Sequence, residues 1–103
     1  MKKEKKKTKR RKLLKAWSLA IKEKHHCEVC GSDENLTAHH LLVKERYKEF
    51  KFDLNNGICL CCSCHKYGRY SFHRNSVWST VWLQQNKPNQ YKWVVEHMGE
   101  KIY

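Results

Sequence analysis

No stretch of this 103-residue chain stays apolar for the length of a membrane span, so no spanning helix is expected. The opening lysine run has no apolar core behind it, so a secretory leader is not expected either. Acidic side chains are scarce, with 10 Asp and Glu against 22 Lys and Arg and a net charge of +12. No internal repeat is visible, and nothing beyond the basic N-terminus and the helices resembles a separate sequence-reading module. The chain is also short. A domain of this size buries only a modest fraction of its surface, and such domains usually need a staple of metal or disulfide. Six cysteines are present. Paired Cys-x-x-Cys units without an export signal favour zinc over disulfides, and the expected location is the cytoplasm.

The positive charge is concentrated at the N-terminus. Residues 1–12 hold nine Lys or Arg and one acid, Glu4. Residues 1–11, nearly devoid of apolar side chains, are expected to form a disordered basic arm. Such an arm suits a polyanion, because each neutralised phosphate releases condensed counterions. Lys9, Arg10, Arg11 and Lys12 are its candidate nucleic-acid contacts. A solubilising tail or a nuclear-import signal uses similar runs.

Beyond the arm the pattern turns amphipathic. Residues 12–26 are expected to hold a helix, with Leu13, Leu14, Trp17 and Ile21 at helical spacing and Trp17 in the core. Leu36 to Val43 suits a short strand carrying His39 and His40. Residues 44–53 look like a long hairpin loop, and Asn55-Asn56-Gly57 signals a turn into a second strand, Ile58-Cys59-Leu60. A helix is expected near Ser63, limited by Gly68. Residues 27–74 would then form the core, with C-terminal helices over 75–103. In one of these, Val77, Trp78, Val81 and Trp82 share a face behind Asn75 or Ser76 as cap. Pro88 opens the other, with Tyr91, Val94, Val95 and Met98 on one face and Gly99 ending it.

Cys27 and Cys30 make one clear knuckle of the kind that holds zinc tetrahedrally. The second pair reads two ways, because Cys59-x-x-Cys62 and Cys61-x-x-Cys64 have the same spacing. Between the knuckles lie His39, His40 and Asn56, and His65 follows directly on Cys64. Phosphodiester hydrolysis needs an activated water and stabilised phosphate charge, which one divalent ion and one histidine can supply. Neighbouring strand residues point to opposite faces, so His39 and His40 cannot share one role. Read without catalysis, the same residues make a zinc ribbon.

Ala38-His39-His40-Leu41, Asn56 and Leu60-Cys61-x-x-Cys64-His65 together resemble the HNH endonuclease family over roughly residues 27–73. The resemblance implies a small α+β fold, a ββα-metal core stapled by zinc with flanking helices. It implies that Cys27, Cys30, Cys61 and Cys64 hold the structural zinc, leaving Cys59 and Cys62 as ordinary small residues. By the same resemblance His39 and His65 bind a catalytic divalent ion, Mg²⁺ or Mn²⁺ with Zn²⁺ or Ni²⁺ as alternatives. His40 is the general base, and Asn56 braces the loop that orients it. Many family members carry a further histidine four positions after the last motif residue, where this chain has Arg69. His73 stands eight positions after His65, about 12 Å along a straight helix, and joins the ligands only if the chain turns near Gly68. Arg69 and Arg74 are candidate phosphate clamps. His25, His26 and His97 have no motif support. The implied function is a metal-dependent endonuclease acting on DNA, and the alternative is an inactive zinc-ribbon DNA-binding module of a recombination or packaging machinery. No membrane partner is expected, and the expected assembly is a homodimer or a larger phage or recombination complex.

Overall fold

The computed structural model describes residues 6–99. Helix α1 spans Lys6–Lys22, strand β1 Leu36–His40, strand β2 Gly57–Cys61, helix α2 Ser76–Asn86 and helix α3 Pro88–Met98. The two strands form an antiparallel hairpin in which Ala38 faces Cys59 and His40 faces Gly57. The long loop between them carries 3₁₀ turns at Lys48–Phe50 and Leu54–Asn56. Five residues of π-helix, Ser63–Tyr67, follow the hairpin. This is the small α+β architecture expected, a ββα core with flanking helices.

Strand β2 is buried along its whole length, and its side chains alternate between two small cores. Ile58 and Leu60 join Cys27, Cys61 and Phe72, with Trp78 and Trp82 of α2 packed against them. Cys59 turns the other way, onto Trp17 and Ile21 of α1. The hairpin is thus sandwiched between α1 and α2, and each strand face has its own partner.

Several expectations need correction. Helix α1 begins at Lys6 and not at Lys12, so residues 6–11 of the presumed disordered arm are helical; residues 1–5 lie outside the described residues. Lys and Arg are good helix formers, and the packed Trp17–Ile21 end supplies the nucleus that a basic run alone lacks. Leu13, expected inward, is 44% exposed. Helix α2 turns Trp78, Ser79, Trp82 and Leu83 inward, while Val77 and Val81 are exposed. The tryptophans win the contact because they bring the larger apolar area. Asn75 caps α2 by accepting the Trp78 N–H at 3.0 Å, and Pro88 opens α3, both as expected.

Glu28 ties the pieces together. Its side chain is 1% exposed, pairs with Lys24 and Lys87, and accepts the Cys59 N–H at 2.7 Å. Burial would raise this carboxyl, but the two lysines and the Cys59 N–H hold it below its usual value.

Candidate active site

Two knots of ligand-type side chains stand on the hairpin. The first is Cys27, Cys30, Cys61 and Cys64, whose sulfurs all lie within 4.8 Å of one another. Gly31 adopts φ +80 to close the first knuckle, its N–H bonding to the Cys27 carbonyl at 2.9 Å. A tetrahedral zinc with Zn–S bonds of about 2.3 Å requires sulfurs roughly 3.8 Å apart. Cys30 and Cys61 stand 3.6 Å apart, and the four thiols fit that ion. Cys59 points into the α1 core instead. Alternation alone would put residues 59 and 61 on one face; the ambiguity is resolved because β2 ends at Cys61, which turns toward Cys27, Cys30 and Cys64 as the chain enters the knuckle. All six cysteines are free thiols. Burial raises the Cys27 thiol, but N–H groups of Cys30, Cys61 and Val29 outweigh it and bring it down to about 7. Cys64 is pushed up by burial and by its neighbouring sulfurs. Four crowded thiols cannot all ionise without a cation among them.

The second knot is His39, His65 and His73, whose ring nitrogens also lie within 4.8 Å of one another. His39 leaves β1 on the face opposite α1, with its ring edge-on to His65, Phe72 and His73. His65 sits in the π-helical turn and is 8% exposed. The Thr37 hydroxyl donates to the Leu60 carbonyl at 2.7 Å, so it can only accept from His65 Nδ1, 2.9 Å away. That contact places the His65 proton on Nδ1 and frees the Nε2 lone pair. The helix then stops at Gly68, whose N–H closes onto the Ser63 carbonyl at 2.8 Å. The chain doubles back, and the N–H groups of Phe72 and His73 bond to the Cys64 and His65 carbonyls at 2.9 and 3.0 Å. This return brings His73 Nε2 to 3.1 Å from His65 Nε2. Two imidazole nitrogens on one ion with bonds of about 2.1 Å stand roughly 3.0–3.4 Å apart, so the residues fit a shared divalent ion.

Burial first, then the charges of His65 and His73, push His39 down to about 3. Burial and His73 push His65 down to about 4. Both rings are therefore neutral near pH 7, with lone pairs available to a metal.

His40 leaves β1 on the α1 side. Its ring stacks on Trp17 with centroids 3.9 Å apart and planes 6° from parallel. Nε2 donates to the Lys51 carbonyl at 2.9 Å, which leaves the lone pair on Nδ1 when the ring is neutral. Asn56, fully buried, holds the loop that carries that carbonyl. Its Oδ1 accepts the Leu42 N–H at 2.6 Å, and its Nδ2 donates to the Leu42 and Phe50 carbonyls at 3.0 and 3.2 Å. Trp17 Nε1 donates to the Asp53 carbonyl at 2.9 Å, so the ring over His40 is itself pinned. Burial, with Lys44 and Lys51 nearby, lowers the His40 pKa against the opposing pull of the Lys51 carbonyl and Glu45. His40 shares a cavity of about 300 Å³ with His39, His65 and His73.

Thr37 and Lys51 carry no sequence signal for these contacts, and Trp17 signals only core. Among the expected phosphate contacts, Arg74 donates to the Tyr67 carbonyl at 3.0 Å, and Arg69 is exposed on the same return loop. Lys9, Arg10, Arg11 and Lys12 are exposed along α1. His97 packs on Trp93 and Phe50, away from both knots.

Residues 27–73 match the family model for HNH endonucleases. The matched segment begins at the first zinc-type cysteine and ends at the third clustered histidine. Over that segment the chain is similar to HNH endonucleases, a family of nucleases that act on nucleic acids. No curated protein and no solved structure matches the chain.

Proposed function

We propose that this chain is a metal-dependent endonuclease that hydrolyses phosphodiester bonds in DNA, with His40 as general base. The observation that carries the reading is the convergence of His39, His65 and His73 beside a separately held His40 in one cavity. His39, His65 and His73 would hold the divalent ion, which when bound supplies a Lewis acid for the phosphate and the leaving oxygen. An all-imidazole set suits Zn²⁺ or Ni²⁺ better than Mg²⁺ or Mn²⁺, which favour oxygen donors. His40 takes the proton of the attacking water on Nδ1, while the Lys51 carbonyl holds Nε2–H and supports the positive charge that develops. Trp17 fixes the ring plane, Asn56 fixes the Lys51 loop, and Thr37 fixes the His65 tautomer. Cys27, Cys30, Cys61 and Cys64 would hold a structural zinc that staples the fold. Arg69 and Arg74 stand on the loop that delivers His73 and would meet the phosphate from that side.

The test is single-turnover cleavage of duplex DNA across titrations of Mg²⁺, Mn²⁺, Ni²⁺ and Zn²⁺. His40→Ala should lose roughly 10²–10⁴-fold in rate at saturating metal, with zinc content and DNA binding unchanged. His39→Ala and His65→Ala should raise the metal concentration needed for half-maximal rate, and Thr37→Val should do so more mildly, by roughly 10–100-fold. If His40→Ala cuts at the wild-type rate, the alternative of a zinc-ribbon DNA-binding module of a recombination or packaging complex becomes the better reading.

A further inference from the structure

One stripe of α1 changes character along its length. Leu14, Trp17 and Ile21 follow one another at helical spacing, and the last two are buried against the hairpin. The same stripe continues toward the N-terminus as Lys7, Arg10 and Arg11, which overhang the β1–β2 loop where apolar contact has ended. Facing them on the loop are Lys44, Lys48 and Lys51. The two banks enclose a groove of about 490 Å³ lined by these six cations and a single acid, Glu45. Like charges brought face to face across a groove repel, and the chain alone gains nothing from the arrangement. A polyanion between the banks turns the repulsion into attraction and releases its own counterions.

The groove also leads somewhere. Lys44 and Glu45 line both this groove and the cavity holding His39, His40, His65 and His73. The two spaces therefore adjoin at the start of the loop. Leu14 is the one apolar residue in the groove, and no aromatic side chain lines it. Single-strand tracks combine cations with aromatic platforms on which bases stack; this groove offers phosphate contacts without a platform.

We propose that the groove between the N-terminal half of α1 and the 44–51 loop is a track for the phosphate backbone of duplex DNA, leading one strand into the histidine cavity. The assignment of the cavity at its end rests on the nuclease reading above; the track itself does not. Contacts to phosphate carry no base information, so binding along it is independent of sequence. It also assigns the loop lysines, which lie some thirty residues from the basic N-terminus, to the same interface as Arg10 and Arg11.

The test is binding of the zinc-loaded full chain to a short duplex and to its single strand, without added divalent ion, across a salt series. Arg10→Gln on the helix bank and Lys48→Gln on the loop bank should each flatten the slope of log affinity against log salt by roughly 0.9, one phosphate contact apiece. Lys92→Gln, an equal charge change on α3, should leave the slope unchanged. Two duplexes of unrelated sequence should respond alike. Equal slopes for all three variants, or losses confined to Arg10→Gln, would overturn the two-banked track. Tighter binding of the single strand, with the same losses, would overturn the duplex assignment. Because no cleavage is measured, a chain that passes this test but never cuts loses only the nuclease reading.

Discussion

His40 shows how much one side chain depends on neighbours remote in sequence. The general-base role proposed for His40 needs a neutral ring, and burial already lowers its pKa from the ordinary 6.5. A lowered pKa keeps the ring unprotonated to more acid pH, so the acid limb of the cleavage profile should fall below 6.5. Trp17 covers one face of the ring. Trp17→Leu should admit water there, let the His40 pKa rise toward its ordinary value, and move the acid limb upward. Loss of the stacked pair itself costs roughly 0.5–1.5 kcal/mol. Single-turnover rates from mildly acidic to neutral pH decide the matter. A scaffold role alone predicts the same proportional loss at every pH, with the limb unmoved. Trp17 was legible in the sequence as a core residue. Its position over His40 was not, because stacking between residues 17 and 40 depends on how α1 crosses the hairpin.

At the scale of elements, that crossing is set by an absent side chain. Gly57 opens β2 opposite His40, directly beneath α1. A Cβ there would fall 2.3 Å from Ile21 Cδ1 and 2.7 Å from Trp17 Cζ2. The Ile21 tip can rotate away, but the Trp17 ring is pinned by its Asp53 contact and by His40. Gly57→Ala should therefore cost roughly 1–3 kcal/mol of stability, the usual range for overpacking. It should also slow cleavage, because α1 must lift from the hairpin and carry Trp17 off His40. Urea unfolding and single-turnover cleavage of the same variant check the two effects together; a destabilised protein with an unchanged rate would uncouple α1 from the base. Asn55-Asn56-Gly57 read in sequence as a turn, and a 3₁₀ turn does stand there. The further work of Asn56 and Gly57, inside the loop and under the helix, belongs to contacts that no local pattern encodes. The same limit explains α2, where four apolar residues in two adjacent pairs define a stripe too wide to predict which pair goes inward.

For the whole molecule, the two buried cores are small, and no buried side chain is larger than Trp17. Structural zinc in peptides of this kind is worth roughly 10–16 kcal/mol, as large as the entire stability of a typical domain, roughly 5–15 kcal/mol. Removing the metal should therefore unfold the chain rather than loosen one knuckle. Chelation or Cys61→Ser should abolish the cooperative thermal transition and the near-ultraviolet signal of the packed tryptophans. Cys59→Ser and Cys62→Ser should retain one zinc per chain, at some cost for Cys59 because its thiol lies in the α1 core. Metal analysis of the three variants, read beside their melting curves, separates the two overlapping Cys-x-x-Cys units. Zinc retained by Cys61→Ser and lost by Cys59→Ser would reverse the ligand assignment.

The candidate metal and base residues are legible in the sequence through their spacing and through the family likeness that this spacing carries. A knuckle needs two cysteines three positions apart, and a strand needs adjacent histidines to face opposite ways. These local rules suffice for Cys27, Cys30, His39, His40 and the turn at Asn56. Tertiary structure alone decided the rest. His73 reaches His65 because backbone bonds across eight residues fold the chain back after Gly68. Thr37 sets the His65 proton because β1 and the π-helical turn meet, and the cationic groove exists because α1 lies over a loop more than thirty residues away in sequence. Each depends on the direction in which one element crosses another. Periodicity reports which residues share a face, but the partner of that face is chosen only by packing.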